Sequence, residues 1–153
     1  MIDDPPPPYL ASAVFYQDPK AALLWLEQAF GFEPSMVLID QNGDLAHSQM
    51  RVGQSLLMVG SEWSQRHRSP RSMGGINTQT VNVQLAEDID GHCERARQAG
   101  AVILQEPETQ FYGDRTYRAE DPEGHIWTFS QTVQELTPDE WDKASGLTTR
   151  TRL

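Results

Sequence analysis

The stretch Asp114–Gln131, DRTYRAEDPEGHIWTFSQ, carries the reading of the whole chain. It reads as a strand, a tight turn and a returning strand. Asp121 suits the first position of a type I turn, Pro122 the second and Gly124 the fourth. On that reading Asp121 and Glu123 are turn and surface residues, and His125 at the turn exit makes a hairpin hydrogen bond. Period-2 alternation places Trp127 and Thr128 on opposite faces of the second strand. If Thr128 looks into a cavity, Trp127 packs beneath a helix.

Working outward, the same elements occur twice. YLASAVFY (9–16) reads as a strand. Asp18 is a good N-cap and Pro19 fits the first helical position. Ala22, Leu26, Ala29 and Phe30 follow at helical spacing, and Gly31 stops the helix. SMVLID, LAHSQMRV and GQSLLMVG read as strands, with a type I′ hairpin turn expected at Asn42–Gly43. After a polar, Arg-bearing segment the order recurs. TVNVQL alternates as a half-buried strand, with Val81 and Val83 towards a helix and Asn82 towards the other side. Asp88 or Asp90 caps a helix whose stripe is Ile89, Cys93 and Ala96 and whose stop is Gly100. AVILQE and the opening hairpin complete the set. Such a long-period repeat predicts an α+β fold of paired βαβββ modules. Their sheets form an incomplete barrel around a ligand-sized cavity, with the helices outside.

The expected divisions are a Pro-rich arm (1–8), a two-module domain (9–131) and a tail (132–153). The domain divides into module one (9–60), a linker (61–75) and module two (76–131). The linker closes over the cavity, touches a partner subunit, or is a solvated loop. In the tail, Thr137, Pro138 and Glu140 form a capping box and Gly146 ends a short helix. That helix presents Trp141 to the barrel or to a second subunit.

At 153 residues the chain is long enough for one domain with a substantial core. A net charge of −10 argues against nucleic acid or an anionic membrane as a partner. No apolar run approaches the roughly 20 residues that cross a bilayer. The acidic, Pro-rich start lacks the basic and apolar regions of a signal peptide, so a cytoplasmic protein is expected. One cysteine, Cys93, excludes an internal disulfide or a multi-Cys zinc site, and its place on a helix stripe predicts a core residue.

The repeat, together with YGDRTYRAEDPEGHIWTF, resembles the vicinal oxygen chelate superfamily of glyoxalases, bleomycin-resistance proteins and extradiol dioxygenases. The resemblance spans about Tyr9 to Gln131. It implies the paired-module fold and a homodimer. It also implies four candidate metal-ligand positions, one on the first and one on the last strand of each module. Here they fall on Ala11 or Ser12, Gln49, Asn82 and Thr128. His or Glu would suit a divalent ion, and this set is neutral. No metal ligand and no cofactor is therefore assigned; His47, two residues from Gln49 and on the same face, is the one residue that keeps a divalent metal open. The candidate ligand-binding residues are His47, Gln49, Asn82, Tyr112, Arg115 and Thr128. Arg115 stacks on a flat ligand or pairs with its carboxylate, or else makes an ion pair with Asp114 or Glu120. Trp63 and Trp127 are further aromatic candidates. The resemblance implies a metal-free protein binding a small, possibly antibiotic-like, organic molecule. The alternative is a lyase, isomerase or dioxygenase of the same superfamily with a non-standard site.

Overall fold

A computed structural model describes residues 10–153; the expected arm at 1–8 lies outside them. The chain runs β1 (Ser12–Tyr16), α1 (Pro19–Phe30), β2 (Glu33–Ile39), β3 (Leu45–Val52), β4 (Ser55–Ser61), β5 (Thr80–Gln84), α2 (Ile89–Gln98), β6 (Val102–Thr109), β7 (Asp114–Glu120), β8 (Ile126–Thr132) and α3 (Pro138–Ser145). Two four-stranded mixed sheets result, ordered β1-β4-β3-β2 and β5-β8-β7-β6. In each, the first strand runs parallel to the last and the remaining pairs are antiparallel. The internal repeat is therefore a repeat of topology. The two sheets do not share a ladder, so no barrel is closed. Among the described residues no helix is long and apolar enough to cross a membrane.

The helices form where the stripes predict. Asp18 caps α1 by accepting from Ala21 N, and Gly31 ends it in the left-handed region. Asp88 caps α2 through Gly91 N, itself held at φ 50°. A Cβ at position 91 would run into the Asp88 carboxylate, so this cap requires glycine there. The helices lie against each other rather than on separate outer surfaces. Trp25 Nε1 donates to the Ala99 carbonyl (2.7 Å), and Arg95 donates to the carbonyls of Glu27 and Gln28. Phe30 at the end of α1 packs on Phe129 and Trp127 of the second sheet. One core thus joins both modules, with Val14, Leu57 and Val59 from the first sheet and Val83, Tyr117 and Phe129 from the second. Cys93 belongs to this core, as its stripe predicts; burial pushes its thiol up to about 11.

Three local expectations are corrected. The turn after β2 is not type I′. Only Gly43 has positive φ (83°). The Asp40 carboxylate accepts from Asn42 N and Asp44 N, which holds Asn42 in an ordinary turn conformation.

The DPEG turn forms as read, closed by Gly124 N to the Asp121 carbonyl (3.0 Å), but its acids are not on the surface. Asp121 is 3% exposed and Glu123 is 6%. Asp121 accepts from Tyr16 Oη (2.6 Å), Trp127 Nε1 (3.1 Å) and the backbone of Glu123 and His125. Burial first, and then the Asp121 charge, push the Tyr16 phenol well above its usual range. Glu123 accepts from Gln17 N (2.7 Å), Asp18 N (3.0 Å) and Ser69 Oγ (2.7 Å). Two buried carboxylates thus tie the second hairpin to the start of α1. Their shell of donors makes the burial tolerable.

His125 bonds within its hairpin through its backbone, but its imidazole reaches elsewhere. Its Nε2 meets the Phe15 carbonyl of β1 at 2.7 Å. The Arg-bearing loop before β5 is tied down as well. Glu62 accepts from Arg68, Ser69 N and Ser72 Oγ, and a 3-10 turn over Pro70–Met73 seats Arg71 N on the Glu123 carbonyl.

Candidate functional site

Because both sheets give one face to the shared core, their other faces look away from it. Pairing register fixes what those faces carry. In the first sheet Ala13, Met58, Gln49 and Met36 form one transverse row. Leu38 and His47 form the next. By alternation Ala11 shares this face, whereas Ser12 turns to the helices, where its Oγ is buried without a partner. In the second sheet the matching row is Asn82, Thr128, Arg118 and Gln105. Thr80 Oγ1 lies 2.9 Å from Thr128 Oγ1.

Four of the six candidates therefore share the outward faces, His47 and Gln49 on one sheet, Asn82 and Thr128 on the other. Gln49 Nε2 approaches His47 Nε2 at 3.4 Å, a long contact that leaves both side chains available. Asn82 also lines a groove of about 470 Å³ between the edges of β1 and β5.

The other two candidates lie elsewhere. Arg115 alternates with Thr116 onto the helix side of β7 and forks onto Asp90 in the first turn of α2 (2.9–3.1 Å). The bond to Asp90, the largest cause, raises its guanidinium above the ordinary value. This is an ion pair, with a different acid from the two considered. Tyr112 sits at the tip of the β6–β7 hairpin beside the tail. Of the aromatic candidates, Trp127 is fully buried, and Trp63 stacks on His67 in the loop with ring centroids 4.0 Å apart.

Arg118 is a cation in this row that the motif reading passed over. It pairs with Thr128 and stands on the outward face. Its signal was available. Tyr117 and Ala119 are the apolar members of DRTYRAE, so alternation sends Arg118 outward and Arg115 inward. His92 was likewise missed. Its Nδ1 accepts from Tyr117 Oη (2.6 Å), and its Nε2 donates to the Phe30 carbonyl (3.0 Å). Burial holds the imidazole below its ordinary value, only partly offset by the Phe30 carbonyl.

A divalent metal is what the resemblance would bring to these faces. The available donors do not suit it. The four positions carry alanine or serine, two amides and a hydroxyl. Among the described residues no three His, Cys, Asp or Glu side chains converge where an ion could be held. Around the candidates the faces offer neutral amides and hydroxyls, the His47 imidazole and the Arg118 guanidinium, with Arg51 and Glu120 further along the same faces.

Comparison with known proteins agrees with this architecture. The family model of the Glyoxalase/Bleomycin resistance protein/Dioxygenase superfamily matches residues 9–129. An uncharacterised protein of Mycobacterium bovis is 28% identical over 137 residues, covering 87% of this chain and 89% of its own. Among solved structures, TioX from Micromonospora sp. ML1 superposes with a TM-score of 0.67 at 29% identity, over 82% of this chain and 99% of TioX. A glyoxalase/bleomycin resistance protein/dioxygenase from Nocardioides gives 0.58 at 18% identity, over 90% and 91%, a likeness of fold alone.

Proposed function

This chain belongs to the glyoxalase/bleomycin resistance/dioxygenase superfamily, and from that premise we propose that it binds a small organic molecule on the outward sheet faces without a metal. The observation that carries this is the row Asn82–Thr128–Arg118–Gln105 facing outward from the second sheet. Its groups recognise a polar ligand bearing hydrogen-bond acceptors and a carboxylate or similar anion, which Arg118 pairs. Gln49 and His47 contribute the corresponding polar groups of the first sheet.

Assembly belongs to the same reading. The outward faces of one chain are open, and the edge strand β2 exposes Val37, Leu38 and Ile39 to about half their area. A second copy covers such an edge and turns the open faces into a walled cavity. We therefore place the ligand in a homodimer.

The second reading is an enzyme of the superfamily. It rests on His47, the one imidazole on these faces, beside Gln49. The test is a thermal-shift screen of small organic acids and polar heteroaromatics, with hits followed by calorimetry. Gln49→Ala, Asn82→Ala and Arg118→Ala should each weaken a hit by about tenfold, the scale of one lost polar contact. Affinity unchanged in all three would place the ligand elsewhere. Turnover of the hit that depends on His47 would favour the enzyme.

A further inference from the structure

A second cavity, of about 640 Å³, lies between the β6–β7 hairpin tip and the C-terminal tail. Ten of the thirteen residues that line it lie beyond the 9–129 family match. The tail is seated there by specific contacts. Val133 N and Gln134 N both donate to the Gly113 carbonyl (3.0 Å each). Gly113 stands at φ 95°, and a Cβ there would run into the Gln134 carbonyl, so this crossing admits only glycine. The capping box at Thr137 starts α3, and Asp142 accepts from Thr149 N and Oγ1, folding the last loop back on the helix.

The lining has a definite chemistry. Phe111 and Tyr112, packed edge to face with centroids 5.1 Å apart, form one wall, and Trp141 of α3 lies in another. Asp114, Glu135 and Asp142 supply carboxylates, and no Lys, Arg or His lines the cavity. The carboxylates of Asp114 and Glu135 carry no ion pair among the described residues. Trp141 Nε1–H is buried with no acceptor among them. A volume of this size is that of a small-ligand site. Aromatic faces and carboxylates together attract a cation with an apolar body, each through a different term.

We propose that this cavity binds a flat organic cation, such as an aromatic amine or a quaternary heteroaromatic. The cavity sits at the end of the second sheet's outward face, where Asp114 pairs Thr132 two rows beyond Arg118 and Thr128, and the proposal does not rest on the function argued for those residues. The aromatic residues hold the ring system, and Asp114 and Glu135 neutralise its charge.

Calorimetry of the full chain with 1-methylquinolinium chloride, and with the anionic isostere 1-naphthalenesulfonate, tests it. The expected result is saturable one-to-one binding of the cation, at least tenfold weaker binding of the sulfonate, and at least a tenfold loss of cation affinity in Asp114→Asn/Glu135→Gln. Both changes keep side-chain size at surface positions, and an unaltered melting temperature would verify the fold. Absence of saturable cation binding, equal binding of the two probes, or undiminished binding in the double variant would overturn the proposal.

Discussion

Glu123 shows how much one side chain carries. Its carboxylate satisfies two backbone N–H groups at the start of α1 and one hydroxyl from the central loop. Glu123→Ala leaves these donors unmet in a buried place and should cost about 3 kcal/mol in urea unfolding, the scale for breaking a buried charged network. A change below about 0.5 kcal/mol, typical of surface positions, would show the network to be dispensable. His92 gives a pH dependence whose sign is fixed. Folding holds its ring neutral below the ordinary value, chiefly by burial. As pH falls past about 6.5 the unfolded chain takes up the proton first, so stability is lost on the acid side of that value. The urea midpoint should fall between pH 7.5 and 5.5, and His92→Gln should flatten that fall; an unchanged slope would exclude His92 as its source. Cys93, fully buried with its thiol raised to about 11, should resist a disulfide reagent in the folded protein and react at once in denaturant. At this scale the sequence was legible where periodicity decides, the helical stripe for Cys93 and strand alternation for Trp127 and Asn82. It misled where a turn motif is composed of surface-type residues. DPEG fits an exposed turn equally well, and only the arrival of β1 and the central loop from far along the chain buries Asp121 and Glu123.

The elements follow from short signals, because caps and stops are local chemistry. Asp18 with Gly31, and Thr137 with Gly146, bound α1 and α3 where the residues predict them. The α3 cap offers a direct check. Thr137→Ala removes one half of the capping box and should lower local helix stability by about 1 kcal/mol. Amide exchange in residues 138–145 should quicken accordingly; unchanged protection would mean that packing alone holds the helix. The turn after β2 was less legible. Asn-Gly is the usual type I′ pair, but Asp40 two residues earlier brings a side-chain acceptor that competes for the same turn. Arg115 against Arg118 is a further case. Two arginines three apart in one strand face opposite sides, and the choice between them needed the burial of Tyr117 and Ala119, not the motif.

For the whole molecule, the repeat of β-strand, helix and three strands yielded the paired-module fold directly, since each module's apolar face has to be covered. The relation between modules was not legible. It depends on contacts such as Phe30 on Phe129 and His125 on the Phe15 carbonyl, made between residues 99 and 110 positions apart, which leave no local signal. The shared core turns one face of each sheet outward, mixed in the first sheet and mostly polar in the second, and this underlies the expectation of a dimer. Light scattering should give about twice the chain mass of 17.2 kDa; a monomer at micromolar concentration would remove the second wall of the proposed cavity.

We propose that these faces bind their ligand without a metal. The most direct measurement is the metal content of protein purified without chelator, followed by melting scans with nickel, zinc, iron(II) and manganese. Substoichiometric metal and no specific rise in melting temperature with any of the four are expected. Stoichiometric metal, or a large stabilisation by one ion that His47→Ala abolishes, would contradict the proposal.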